Sequence, residues 1–163
     1  MHITLKKKIL YFKHYKIKCA IGKRGISKNK YEGDLCTPIG KFTFEYLLYR
    51  KDKIKNLKTD IPKKVIKKNM GWCDDPKSEK YNKLIKFPFS YKAEKLFLNK
   101  EIYDLLLVIN YNRNPVFPEK GSAIFLHIAS KNFKPTKGCI AIKKKDFLKI
   151  LPLIRKKTKI IIN

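Results

Sequence analysis

Acid is scarce in this chain: Asp and Glu number 13 against 40 Lys and Arg, which gives a formal net charge of +27 over 163 residues. An imbalance of that size points first to a polyanionic partner such as nucleic acid, an anionic membrane surface or an acidic polymer. A second scarcity argues the other way. Only four of the basic residues are arginine, Arg24, Arg50, Arg113 and Arg155; the rest are lysines scattered from Lys6 to Lys159 among many Ile and Asn. Readers of nucleic acid lean on Arg, whose planar fork matches phosphate and base edges. Scattered lysine reads instead as a solvated face in a chain of biased base composition, so no nucleic-acid partner is expected.

Cysteine is present but unpaired in sequence: Cys19, Cys36, Cys73 and Cys139 lie far apart with no C-x-x-C, which excludes a zinc ribbon or a thioredoxin-type site. A chain of this length does not depend on disulfides. There is no metal-ligand cluster, phosphate loop or nucleotide fingerprint, so neither metal nor cofactor is expected. Long hydrophobic runs are missing too; the longest, near Leu105, is only a few residues and far short of a transmembrane helix. The start, Met1 to Ile9, passes into Lys6-Lys7-Lys8 with no apolar core or small-residue cleavage site. That leaves three expectations: a cytoplasmic protein, export by another route, or a leader missing from this sequence. With no repeat or linker, one domain over residues 1–163 is expected.

What is there is enough to fold. Hydrophobic residues make up 44% and aromatics 12%, despite 33% charged residues. Residues 9–21 alternate loosely as half-buried strands do, and Lys41 to Leu48 returns to β-rich residues after the turn formers Glu32-Gly33-Asp34 and Thr37-Pro38-Ile39-Gly40. Lys51 to Lys68 reads as a polar surface excursion, the segment Met70-Gly71-Trp72-Cys73-Asp74-Asp75-Pro76 as a shaped loop, and Tyr91 to Asn99 as a short helix. Tyr103 to Ile109 is a nearly continuous apolar run, the mark of a strand buried on both faces. Further strands are expected at Ala123–Ala129, Gly138–Ile142 and Thr158–Ile162, with a helix from Asp146 to Leu151 ended by Pro152. The expected class is mainly β with one or two short helices.

Alternation also selects candidate chemistry. In Phe125-Leu126-His127-Ile128-Ala129, His127 points away from Leu126 and Ile128; in Gly138-Cys139-Ile140-Ala141-Ile142, Cys139 points away from Ile140 and Ile142. If the two strands are neighbours with their Ile sides on the core, His127 and Cys139 emerge on one face. An imidazole there can lower the thiol's pKa and accept its proton, and the thiolate can then attack a carbonyl. Gly138 permits close backbone approach, so amide N–H groups at Gly138 and Cys139 can hold an oxyanion. His2 and His14 have no such partners and read as structural.

The stretch from His127 through Thr136-Lys137-Gly138-Cys139 resembles the signature of the L,D-transpeptidase catalytic domain (YkuD-like), in which a His is followed by Ser/Thr-His-Gly-Cys. Lys30-Tyr31-Glu32-Gly33-Asp34 with Thr37-Pro38-Ile39-Gly40, Gly71 to Pro76 with Tyr81-Asn82, and Gly121-Ser122-Ala123-Ile124-Phe125-Leu126-His127 extend the resemblance over nearly the whole chain. It implies a β-sandwich or barrel and a Cys thioester with a peptidoglycan stem tetrapeptide, transferred to an amine acceptor in the cell envelope. By position Cys139 would be nucleophile, His127 general base and Gly138 part of the catalytic turn. Thr136, Lys137, Trp72 and Asp74 are candidate substrate contacts, with Glu32 and Asp34 either touching substrate or fixing a loop. Two departures stand out: Lys137 replaces the second His of the signature, and Ala141 stands where many members carry Asn or Arg. Two alternatives stay open: a cysteine hydrolase on the same scaffold, and a non-catalytic basic protein that binds an anionic polymer.

Overall fold

The computed structural model describes residues 1–163. The strands of the first half are β1 (His2–Lys6), β2 (Ile9–Phe12), β3 (Tyr15–Ala20), β4 (Ile26–Ser27), β5 (Thr37–Pro38), β6 (Gly40–Tyr49) and β7 (Lys63–Val65). They are followed by β8 (Met70–Cys73), β9 (Leu84–Lys86), β10 (Ala93–Lys95), β11 (Leu105–Ile109), β12 (Phe125–Ile128), β13 (Ile140–Ile142) and β14 (Lys159–Ile162). One α-helix, α1 (Lys144–Ile150), runs into a 3₁₀ turn at Leu151–Leu153, where Pro152 ends the α pattern; a second 3₁₀ turn, Glu101–Tyr103, precedes β11. The class is mainly β with one short α-helix, as the alternation predicts.

Eight strands close into a mixed barrel in the order β11, β12, β13, β3, β2, β1, β14, β6, and β6 returns to pair with β11. Strand β6 can serve as the closing strand because it is long: Gly40 to Thr43 pair with β14, while Phe44 to Tyr49 pair with β11 across a register shift. Closure leaves no free edge within the ring. The alternation read from sequence becomes the two sides of this wall. Leu105, Leu107, Ile109, Leu126, Ile128, Ile140 and Ile142 point inward to one core, joined by Phe147 and Ile150 of α1. Leu106, Val108, Phe125 and Leu48 point outward into a second core with Trp72, Leu96 and Tyr103. Every residue of β11 is buried, as its unbroken apolar run requires.

That second core lies under a cap. Strands β10, β8 and β9 form a separate antiparallel sheet with β8 in the middle, so Met70 to Cys73 is a regular strand where composition suggested a shaped loop. The reading of Tyr91 to Asn99 as a short helix is also overturned, because Ala93 to Lys95 pair with Cys73 to Gly71. Lys51 to Lys68 is more than an excursion: Ile54, Ile61 and Ile66 are buried, and Lys63 to Val65 add β7 to the edge of β6. Its lysines face solvent while isolated isoleucines anchor it, a spacing with no helix or strand period.

Candidate active site

Strands β12 and β13 run parallel with His127 opposite Ala141. Cys139 lies two residues before Ala141, so it shares the outward face of His127. Both side chains open into a cavity of about 420 Å³, between the barrel wall and the cap, that is also lined by Thr136, Lys137 and Asp74. The thiol donates to the Ala123 carbonyl at 3.0 Å and accepts the Phe125 N–H at 3.3 Å.

The turn before the thiol is held from both sides. Gly138 has φ +145°, and a Cβ there would lie 2.8 Å from the Cys36 carbonyl oxygen, so only glycine fits. The Thr37 hydroxyl donates to the Gly138 carbonyl at 2.9 Å and accepts the Gly22 N–H at 2.9 Å. Thr136 closes the turn: its hydroxyl accepts the Gly138 N–H at 3.1 Å and donates to the Cys139 carbonyl at 2.6 Å. Two expectations change as a result. The hydroxyl of Thr136 is committed to the turn rather than to a substrate, and the Gly138 amide is already bonded, which leaves the Cys139 amide as the candidate oxyanion donor.

Charge at the pair also differs from expectation. Burial, and then the Glu94 carboxylate, push the Cys139 thiol up to about 12, against smaller pulls from the Phe125 N–H and Lys30. The cation acting on the thiol is thus Lys30, while exposed Lys137 acts on Glu94. Burial holds His127 down to about 4, although carbonyls at Ile128 and Ile102 favour its protonated form. Thiol and imidazole are therefore both uncharged at neutral pH, not a preformed ion pair. His127 Nδ1 lies 2.9 Å from the Ile128 carbonyl, which can only accept, a placement that favours the Nδ1–H tautomer with its lone pair on Nε2.

Trp72 does not reach the cavity. It is fully buried, its ring meets Phe125 edge-on at 5.0 Å, and its Nε1 donates to Asn82 Oδ1 at 3.0 Å. Its assignment as a substrate contact is corrected to a core residue of the cap. Asp74 does line the cavity; its Oδ2 lies 3.5 Å from Lys92 Nζ, and its Oδ1 is buried without a partner. Asp34 fixes its loop, accepting from Lys30 Nζ at 2.6 Å and from the amides of Cys36 and Tyr31. Glu32 lines the cavity and ties Ser122 and Tyr81 together.

Reading the sequence missed Thr37, Glu94 and Tyr103. Thr37 sat inside a block read only as a turn, and its link to Gly138 spans 101 residues, which no local pattern reports. Glu94 and Tyr103 were assigned to a helix and a strand end; in the fold both line the cavity.

Residues 3–162 match the YkuD family, the L,D-transpeptidase catalytic domain. No curated protein matches. Among solved structures the chain is similar to the helical cell shape determining protein Pgp2 from Campylobacter jejuni, with a TM-score of 0.55 at 16% identity over 99% of this chain and 46% of that one. A lysine-to-alanine mutant of Pgp2 gives a TM-score of 0.53 at the same identity and coverage. The chain thus spans less than half the length of Pgp2, and the likeness is one of fold. With its barrel, its cap and a match from end to end, the chain belongs to the YkuD family of L,D-transpeptidase catalytic domains.

Proposed function

We propose that this protein is a cysteine acyltransferase of the cell envelope that forms a thioester between Cys139 and a peptidoglycan stem tetrapeptide and passes the acyl group to an amine. The observation that carries this reading is that Cys139 and a neutral His127 open into one cavity from adjacent strands of a YkuD barrel.

The resting thiol is tied to the Ala123 carbonyl. For reaction it leaves that acceptor, and His127 Nε2 takes its proton as Sγ attacks the carbonyl carbon of the scissile peptide bond. Because both groups start neutral, proton transfer accompanies attack. The oxyanion forms beside the Cys139 amide, where a fixed N–H stabilises charge that water does not screen. Collapse breaks the C–N bond, and the imidazolium proton goes to the departing amino group. The thioester and a neutral imidazole remain. An acceptor amine then attacks the thioester, gives its proton to His127, and the sulfur leaves as the thiol by recovering that proton.

The test is product analysis with a stem tetrapeptide and an amine acceptor, using the unaltered protein and Cys139→Ala. A cross-linked product that depends on Cys139 is expected. A shortened free peptide would reassign the protein as a hydrolase on the same scaffold. No Cys139-dependent product from either route would contradict the reading.

A further inference from the structure

The cap and the barrel meet at the cavity through a tyrosine. Tyr103 lies at the end of the 3₁₀ turn Glu101–Tyr103 and is buried, 6% exposed. Its ring stands edge-on to the His127 imidazole, with centroids 5.3 Å apart and planes at 86°. The same ring stands edge-on to Phe125 at 6.2 Å and 82°. Its hydroxyl donates to Glu94 Oε1 at 2.7 Å. Glu94 belongs to β10 of the cap, whereas His127 belongs to β12 of the barrel, so the tyrosine spans the two layers.

We infer that Tyr103 is a positioning residue for His127, and that Glu94 holds Tyr103 in place from the cap. The inference rests on the reading of His127 as the base, but concerns what orients it. An imidazole on a strand has two soft side-chain torsions, and one hydrogen bond at Nδ1 leaves rotation about that bond's axis. A ring packed edge-on against the imidazole removes the remaining freedom. The tyrosine itself needs fixing, which the Glu94 carboxylate does at one end and Phe125 at the other. Misplacement of a reacting group by about 1 Å can cost on the order of a hundredfold in rate.

Four variants separate the parts. Tyr103→Phe keeps the ring and cuts the tie to Glu94; Tyr103→Leu removes both; Glu94→Ala cuts the tie from the other side; Glu94→Gln keeps an acceptor for the hydroxyl. Rates of acylation by a carbapenem are expected to fall on the order of tenfold to a hundredfold in Tyr103→Leu, less in Tyr103→Phe and Glu94→Ala, and least in Glu94→Gln. The affinity of the initial complex should hardly move.

The second readout is independent of activity. The chain has three histidines, so long-range ¹H–¹⁵N spectra resolve them, with His2 and His14 as internal references. His127 should show the Nδ1–H tautomer in the unaltered protein and averaged nitrogen shifts in Tyr103→Leu. Tyr103→Phe preserves ring volume and keeps the test open should Tyr103→Leu fail to fold. Unaltered nitrogen shifts and acylation rates across folded variants overturn the inference. If the unaltered protein is not acylated at all, the base reading fails, while the tautomer spectra still decide whether Tyr103 orients the ring.

Discussion

At His127, folding and acidity are linked through burial. The imidazole sits near 4 in the folded chain against an ordinary 6.5, so the unfolded chain binds the extra proton first. Stability is therefore complete above about pH 6.5 and falls as pH drops toward 4, by on the order of 3 kcal/mol. Urea unfolding at neutral pH and near pH 4.5 should show this loss, and His127→Asn should flatten it. Thr37 makes a different kind of demand, since its one hydroxyl bonds both Gly22 and the Gly138 turn. Thr37→Val keeps the shape and leaves a buried carbonyl and amide without partners, which costs about 1 to 3 kcal/mol per group. Denaturation midpoints and carbapenem acylation kinetics should both worsen, the second because the turn carries Cys139. At this scale the sequence was legible for Cys139 and His127, since a two-residue period sets which face each takes. It was opaque for Thr37, Glu94 and Tyr103, whose partners lie 101, 9 and 24 residues away on elements that only the closed barrel and its cap bring together. Trp72 was misplaced because composition cannot tell a tryptophan lining a cleft from one filling the core beneath it.

Among the elements, those that build the barrel were readable and those that build the cap were not. Strands β11, β12 and β13 carry apolar runs or clean alternation, because their inward side faces a core of Ile, Leu and Phe. Strand β8 buries the consecutive residues Trp72 and Cys73 on its two sides, with a glycine before them and acids after, so no period survives. Its identity as a strand comes from its neighbours β9 and β10, each of three residues and too short to show a period. The cap depends on Trp72, and on Asn82, which accepts from Trp72 and from the Ala123 amide and donates to the carbonyls of Tyr111 and Asn112. Trp72→Ala is expected to cost about 3 to 5 kcal/mol, with the cap loosening before the barrel. Hydrogen exchange should show lost protection first in β8 to β10; uniform loss across the barrel would mean that the two layers unfold as one.

For the whole molecule, a net charge of +27 on a closed barrel is a load that the fold carries rather than one that shapes it. Six of the 13 acids, Asp34, Asp52, Asp74, Glu45, Asp104 and Asp60, each pair with a lysine or arginine. Most surface lysines repel one another without relief. The thermal midpoint should therefore rise as salt goes from about 0.01 M to about 0.1 M, where the screening length shrinks from about 30 Å to about 10 Å. A midpoint that is flat or falls would mean that the ion pairs outweigh the self-repulsion. No helix in the structure is long and apolar enough to cross a membrane.

The proposal that Cys139 is an acyl-accepting thiol activated by His127 is open to intact-protein mass spectrometry after exposure to a carbapenem. A single adduct is expected on the unaltered protein, none on Cys139→Ala, and slow formation on His127→Ala. Folded, reduced protein that forms no adduct, or an adduct that persists in Cys139→Ala, would contradict it.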